Sequence, residues 1–113
     1  MQGTNSVEPA AEPRNERWTL LTNHGHALAY TARNPDARIR DIAEAVGITE
    51  RSAHRIVTEL VDAGYLSRTR EGRRNHYTVH QKARLRHPLW RGVSVRQALA
   101  ALITSGTDLG NAY

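Results

Sequence analysis

The stretch that decides the fold runs from Arg38 to Gly64 and reads RIRDIAEAVGITERSAHRIVTELVDAG. It holds two short patterns in which apolar residues recur every three or four positions, the spacing that places side chains on one face of a helix. The first set is Ile39, Ile42, Ala43 and Val46, and the second is Ala53, Ile56, Val57 and Leu60. Between them, Gly47 tolerates the positive φ of a tight helix exit, and the hydroxyl of Thr49 can cap the next helix. This pattern predicts a helix-turn-helix.

The predicted bounds of the two helices are Asp41 to Val46 and Glu50 to Ala63. Gly64 follows the last periodic residue and is typical of a helix stop. The tripeptide Arg38-Ile39-Arg40 before the first helix is compatible with a minimal strand.

Upstream, another helix is expected from Thr22 or Asn23 to about Arg33, because Asn34-Pro35-Asp36 interrupts helical geometry. Its buried stripe is predicted to be Ala27, Leu28, Thr31 and Ala32, preceded by an apolar entry of Trp18, Leu20 and Leu21. Residues 1–17 carry almost no large aliphatic side chains and are expected to form a flexible arm.

Downstream, the period changes from helical to alternating. The segments Leu66–Arg70 and Asn75–Val79 are predicted strands, joined by the turn Glu71-Gly72-Arg73-Arg74. The inward residues of this hairpin are expected to be Leu66, Tyr77 and Val79. A hairpin directly after a helix-turn-helix is a wing.

The last third of the chain combines a basic connector with a further helix. Residues 81–92 are expected to be irregular, since Pro88 interrupts any helix there. Ser94 and Gln97 have the spacing of a capping box, which predicts a helix ending at Ser105-Gly106. Its buried positions are expected to be Val95, Ala98, Leu99, Leu102 and Ile103.

These elements predict a mainly α fold with a small β-hairpin, a winged helix-turn-helix with flanking N- and C-terminal helices. Three regions follow: an arm at 1–17, a winged helix-turn-helix domain at 18–80, and a basic connector with a C-terminal helix for dimerisation at 81–113. With 113 residues and no Phe, the core is expected to be thin, and a partner subunit often completes such a core.

The charge is distributed unevenly along the chain. Residues 1–37 have a net charge of −1, from three Arg and four acids, whereas residues 68–96 have +8, from nine Lys or Arg and one acid. Such asymmetry favours a polyanionic partner over a merely solvated basic face. The absence of Cys, of a signal-like N-terminus and of an apolar run of roughly 18 residues favours a cytoplasmic protein without a membrane partner.

With the two helices and the wing in place, residues from about Trp18 to Val79 resemble the winged helix-turn-helix transcription regulators, with MarR-type and ArsR-type bacterial proteins as the nearest groups. The most specific part is Ala43-x-x-x-Gly47 with its surrounding apolar positions, where the small Ala43 lets the helices cross closely. The resemblance implies that the exposed side of the third helix enters the major groove of double-stranded DNA.

The candidate contacts of this recognition helix are Thr49, Glu50, Arg51, Ser52, His54, Arg55 and Thr58. Arg51 and Arg55 project together and can bind guanine bidentately, and Glu50 can accept from cytosine or pair with His54. Contacts from the wing and to the backbone are expected from Arg38, Arg40, Arg68, Arg70, Arg73 and Arg74.

We expect a dimeric repressor, because one helix reads only a few base pairs and two-fold symmetry matches a pseudo-palindromic operator with half-sites about 34–36 Å apart. The candidate interface is Trp18, Leu21, Leu28, Val95, Leu99, Leu102 and Ile103. The alternative is that these side chains close the core of a single chain.

Other functions remain open. A winged helix can bind an acidic protein instead of DNA. The pairs His24/His26 and His76/His80, each completed by Glu16 or Asp108, could serve a metal-responsive sensor or a metal-dependent enzyme. Because no catalytic series or nucleotide loop is present, we expect neither enzymatic activity nor a cofactor. A small-molecule effector is compatible with the sequence, and RNA binding is disfavoured by the lack of exposed aromatic residues on the strands.

Overall fold

The fold is a bundle of four helices with one antiparallel hairpin. The computed structural model describes residues 18–104. Its elements are α1 (Asn23–Arg33), α2 (Ile39–Val46), α3 (Glu50–Asp62), β1 (Leu66–Glu71), β2 (Arg74–Val79), a 3-10 turn at Pro88–Trp90, and α4 (Val95–Thr104). The predicted fold class is therefore confirmed. The expected arm at 1–17 and the helix stop at Ser105-Gly106 lie outside the described residues.

The start of α2 corrects one prediction, because Arg38-Ile39-Arg40 does not form a strand. Arg38 is the N-cap residue, with φ −88 and ψ 162, and the helix begins at Ile39. The Asp41 carboxylate accepts a hydrogen bond from the Arg38 backbone N–H at 3.0 Å and contacts its guanidinium at 3.2 Å. With a capping carboxylate at its third position, the helix begins two residues before the predicted bound at Asp41, at the first residue of the apolar set.

The turn between α2 and α3 is built as the sequence predicts. Gly47 has φ 87, and the N–H groups of Gly47 and Ile48 both donate to the Ala43 carbonyl, at 2.8 and 2.9 Å. Thr49 caps α3 by accepting from the Ser52 N–H at 3.1 Å. At the other end, Gly64 has φ 85, which confirms the predicted helix stop.

The core lies where α1, α2 and α3 meet the base of the hairpin and one side of α4. Ile42, Ile56 and Val57 are fully enclosed, and the small Ala43 and Ala53 are buried beside them. The hairpin contributes Leu66 and Tyr77, and α4 contributes Val95, Leu99 and Ile103. This arrangement fixes α3 from one side and leaves its opposite side to solvent.

Four predicted core positions differ, since Ala32, Val79 and Leu102 are half-buried and Ala98 is exposed. In α4 the buried positions are Val95, Leu99 and Ile103, which recur every four residues, and Ala98 lies outside this stripe. The helix departs from helical geometry at Leu99, with φ −116 and ψ 16. Val79 is half-buried, since it lies at the end of β2 opposite Leu66.

The hairpin is attached to the helices through the loop before α2. The backbone N–H of Tyr77 donates to the Pro35 carbonyl at 2.8 Å, so this loop takes the place of a third strand beside β2. The connector after the hairpin returns to α4 through a bridge between Arg84 and Ser94. Within residues 18–104, no helix has the length and apolar character to cross a membrane.

Candidate nucleic-acid interface

The solvent side of α3 carries most of the residues expected to contact DNA. Glu50, Arg51, His54 and Arg55 are exposed, whereas Ser52 and Thr58 are half-buried at the edge of the packed face. The exposed Thr49 uses its hydroxyl for the cap and also donates to Ser52 Oγ at 3.1 Å. The first half of α3 therefore presents two guanidinium groups and an imidazole to solvent.

Arg55 is held by a residue that the apolar pattern did not single out. Its Nη1 donates to Glu59 Oε1 at 3.3 Å and to Oε2 at 3.5 Å. His24 of α1 contacts the same Oε1 through Nε2 at 2.7 Å. The spacing of Arg55 and Glu59 was a signal for a helical ion pair, but nothing in the sequence indicated that His24 would join them.

The pKa of the shared Glu59 carboxyl group is also shifted. The hydrogen bond from His24, followed by the charge of Arg55, holds the pKa of Glu59 below its ordinary value. Glu59 is therefore a carboxylate at neutral pH. The pair between Glu50 and His54, one of the two alternatives that the sequence allows for Glu50, is not found among the hydrogen bonds of the described residues.

The wing presents cations at its tip. Gly72, with φ 65, and Arg73 form a two-residue loop, and Arg70 Nε donates to the Gly72 carbonyl at 3.2 Å. Gly72 is needed here because side chains rarely adopt this φ. Arg68, Arg70, Arg73 and Arg74 are all exposed.

Arg38 and Arg40 lie at the start of α2 and differ in their electrostatic surroundings. The Arg38 guanidinium is paired with Asp41, and its hydrogen bond lowers the pKa of that carboxyl group. Arg40 is exposed, and no ion pair involves it within the described range 18–104. Arg40 is thus the less compensated of these two candidate phosphate contacts.

The end of α3 and the base of the wing are joined by His80. Its Nδ1 lies 2.8 Å from the Gly64 carbonyl, and its Nε2 lies 2.6 Å from Ser67 Oγ. Its backbone N–H donates to the Tyr65 carbonyl at 2.9 Å. The recognition helix and the hairpin are therefore fixed to each other by side-chain and backbone bonds.

The histidine pairs considered as metal ligands have other partners. His24 binds Glu59, His26 lies 3.1 Å from Thr19 Oγ1, and His76 Nδ1 lies 2.8 Å from Asp36 Oδ1. Across the described part of the chain, no three His, Cys, Asp or Glu side chains are grouped so that they could hold a metal ion. The carboxylates proposed to complete either set, Glu16 and Asp108, lie outside that part.

The residues expected at the dimer interface separate into two groups. Leu28, Val95, Leu99 and Ile103 are buried in the core of the chain itself. Trp18 is 77% exposed, and Leu21 and Leu102 are half-buried. The last two line an apolar cavity of about 310 Å³ with Tyr30 and Val46. Only this second group retains surface for a partner.

Comparison with known proteins agrees with this geometry. A family model described as "MarR family" matches residues 18–74. A search of curated proteins returned no match.

Two solved structures are similar to the chain. One is MepR, a transcription regulator of the Staphylococcus aureus multidrug efflux pump MepA, with 16% identity, a TM-score of 0.49, and coverage of 80% of this chain and 64% of that one. The other is the PcaV transcriptional regulator from Streptomyces coelicolor, in complex with its natural ligand, with 21% identity, a TM-score of 0.50, and coverage of 81% and 70%. The chain thus spans less than two thirds of MepR, and its likeness to PcaV concerns the fold. Because the family model matches half of its residues, the chain belongs to the MarR family of winged helix-turn-helix transcription regulators.

Proposed function

We propose that this protein is a sequence-specific, double-stranded DNA-binding transcription regulator that acts as a dimeric repressor. The observation that carries the proposal is the solvent face of α3, where Arg51, His54 and Arg55 are exposed opposite a fully packed face. Guanidinium groups on an exposed helix suit the guanine edge in the major groove, which is wide enough to admit a helix.

The charge distribution supports the same partner. From Gly72 to Thr104 the sequence contains seven Lys or Arg and no acid. On the hairpin, four arginines are exposed, so their charges are available to phosphates: Arg68, Arg70, Arg73 and Arg74. Release of the counterions condensed on DNA would supply much of the binding free energy, which makes affinity fall as salt rises.

We infer a dimer because one helix contacts only a few base pairs. Two copies related by a two-fold axis would place two α3 helices in successive major grooves on a pseudo-palindromic operator. The exposed Trp18 and the apolar cavity beside Leu21 and Leu102 support a contact on the side of α1 and α4.

Footprinting of the purified protein on genomic DNA fragments tests the proposal. We expect protection of two half-sites with similar sequences whose centres lie one helical turn apart, and repression of a reporter that carries the protected site. Absence of any protected site at physiological salt would contradict DNA recognition, and a single half-site would contradict the dimer.

One feature favours the rival hypothesis of a protein-binding module. Leu89 and Trp90 on the connector are 70% and 52% exposed, beside the basic Arg86 and Arg91. Apolar and cationic groups together suit an acidic, partly apolar protein segment. Competition between DNA and such a partner at physiological salt distinguishes the two, because a protein-binding module would not be displaced by DNA.

A further inference from the structure

The carboxylate of Glu59 contacts side chains from two helices, α3 and α1. On one side, Arg55 of the exposed α3 face donates Nη1 to both of its oxygens. On the other side, His24 in the first turn of α1 contacts Oε1 at 2.7 Å. Oε1 therefore has two partners, one on the recognition helix and one on a neighbouring helix.

This ion pair leaves two other N–H groups of Arg55 free to bind a base. With Nη1 directed at Glu59, the Nε and Nη2 groups remain as a parallel pair of donors, the geometry that suits O6 and N7 of guanine. The Arg55 side chain is otherwise 59% exposed, so an unheld guanidinium would sample many rotamers. A fixed carboxylate reduces the conformational entropy that Arg55 gives up when it binds a base.

His24 in turn holds the carboxylate. The imidazole and Glu59 are 42% and 48% exposed, so the bond lies at the rim of a cavity of about 390 Å³ that is open to solvent. Asp62, Tyr65 and Arg86 line the same cavity from the end of α3 and from the connector.

We propose that Glu59 is a positioning residue for base reading by Arg55, and that the hydrogen bond with His24 steadies the Glu59 carboxylate. The inference rests on the proposed function, since it concerns sequence discrimination on DNA.

The first test compares two variants of equal charge on the same helix. Glu59→Gln removes the carboxylate that holds Arg55, and Asp62→Asn removes a carboxylate that lines the same cavity and has no hydrogen bond to Arg55 within residues 18–104. We expect Glu59→Gln to lower the ratio of cognate to random-DNA affinity about 2- to 5-fold, the size of an exposed ion pair. Asp62→Asn should change both affinities equally and leave the ratio unchanged.

The second test removes the hydrogen bond between His24 and Glu59. His24→Ala should lower the specificity ratio in the same direction as Glu59→Gln, whereas His24→Gln, which keeps a donor, should retain most of the native ratio. A His24→Ala variant with the native ratio would overturn the role of His24.

A third measurement needs no DNA. The Nε–H of Arg55 should become more mobile in NMR relaxation when Glu59 is changed to Gln, and should remain unchanged in Asp62→Asn. If the native protein binds no DNA but Arg55 loosens as expected, the proposed function and base reading fail together, while the hold of Glu59 on the Arg55 guanidinium stands. If DNA is bound specifically and Glu59→Gln behaves as Asp62→Asn in both assays, the positioning role is wrong.

Discussion

Arg51 and Arg55 are four positions apart on one face of α3, yet their surroundings differ. Arg55 is paired with Glu59 at 3.3 Å, whereas no ion pair involves Arg51 in the part of the chain that the structure describes. The spacing of apolar residues was sufficient to predict that both arginines face solvent. The pairing with His24 could not be predicted, because it depends on how α1 packs against α3 across 35 positions of sequence.

Replacing Arg55 by Ala should weaken binding to the cognate operator by about 1–3 kcal/mol and binding to random DNA much less, because alanine cannot bind a base edge bidentately. Titration of both DNAs by fluorescence anisotropy at one fixed salt concentration measures the difference. Equal weakening on the two DNAs would mean that Arg55 binds only phosphates.

At the scale of elements, the helices and the hairpin follow from residue periodicity, and the deviations have local causes. The predicted start of α2 at Asp41 was two residues too late, although the apolar set already included Ile39; the hydrogen bond from the Arg38 backbone N–H to Asp41 fixes the start. The exposure of Ala98 was not predicted, because apolar spacing does not show which side of α4 the other helices cover. A cap depends on a single side chain, so it escapes an argument based on repeating patterns.

In the proposed complex, we expect the wing to contribute charge rather than base reading. Changing Arg73 and Arg74 together to Ala should weaken binding on all DNA sequences and reduce the slope of log affinity against log salt by about 1 for each phosphate that the wing no longer neutralises. Affinities measured across a series of salt concentrations give the slope. An unchanged slope would mean that the wing tip does not contact DNA phosphates.

The ion pair between β2 and the loop before α2 should make stability depend on pH. Hydrogen bonding to Asp36 raises the pKa of His76 above its ordinary 6.5. The folded chain therefore binds this proton more tightly than the unfolded chain, so the stabilisation is fully present below about pH 6.5 and disappears as pH rises through the higher folded pKa.

Urea denaturation of the native protein and of Asp36→Asn between pH 5.5 and 8.5 tests this ion pair. The native protein should have the higher midpoint near pH 5.5, and the difference should shrink as the pH rises. A difference that grows with pH would show that the bridge does not favour the charged imidazole.

For the whole molecule, the sequence could indicate an apolar C-terminal helix but not whether it packs inward or against a partner. Val95, Leu99 and Ile103 pack inward, because α4 lies against α1. The choice between these arrangements depends on tertiary geometry, since both require the same apolar stripe. The dimer thus stays a prediction that depends on Trp18, Leu21 and Leu102.

Two substitutions separate folding from assembly. Leu99→Arg should unfold the chain, because it places a charge at a position that is only 9% exposed. Trp18→Ser should leave the helical content seen by circular dichroism unchanged and shift the protein from dimer to monomer in analytical ultracentrifugation, since Trp18 is exposed in the single chain. A Trp18→Ser variant that remains dimeric would exclude this side chain from the interface.

The bonds of His80 to Gly64 and Ser67 have a consequence for the proposed complex with DNA. They fix the distance between α3 and the tip of the wing. In the proposed complex, α3 would enter a major groove and the wing tip the neighbouring minor groove. Any mismatch between that distance and the duplex would then be absorbed by bending or narrowing of the DNA. Base pairs that no side chain touches would contribute to site choice through their stiffness.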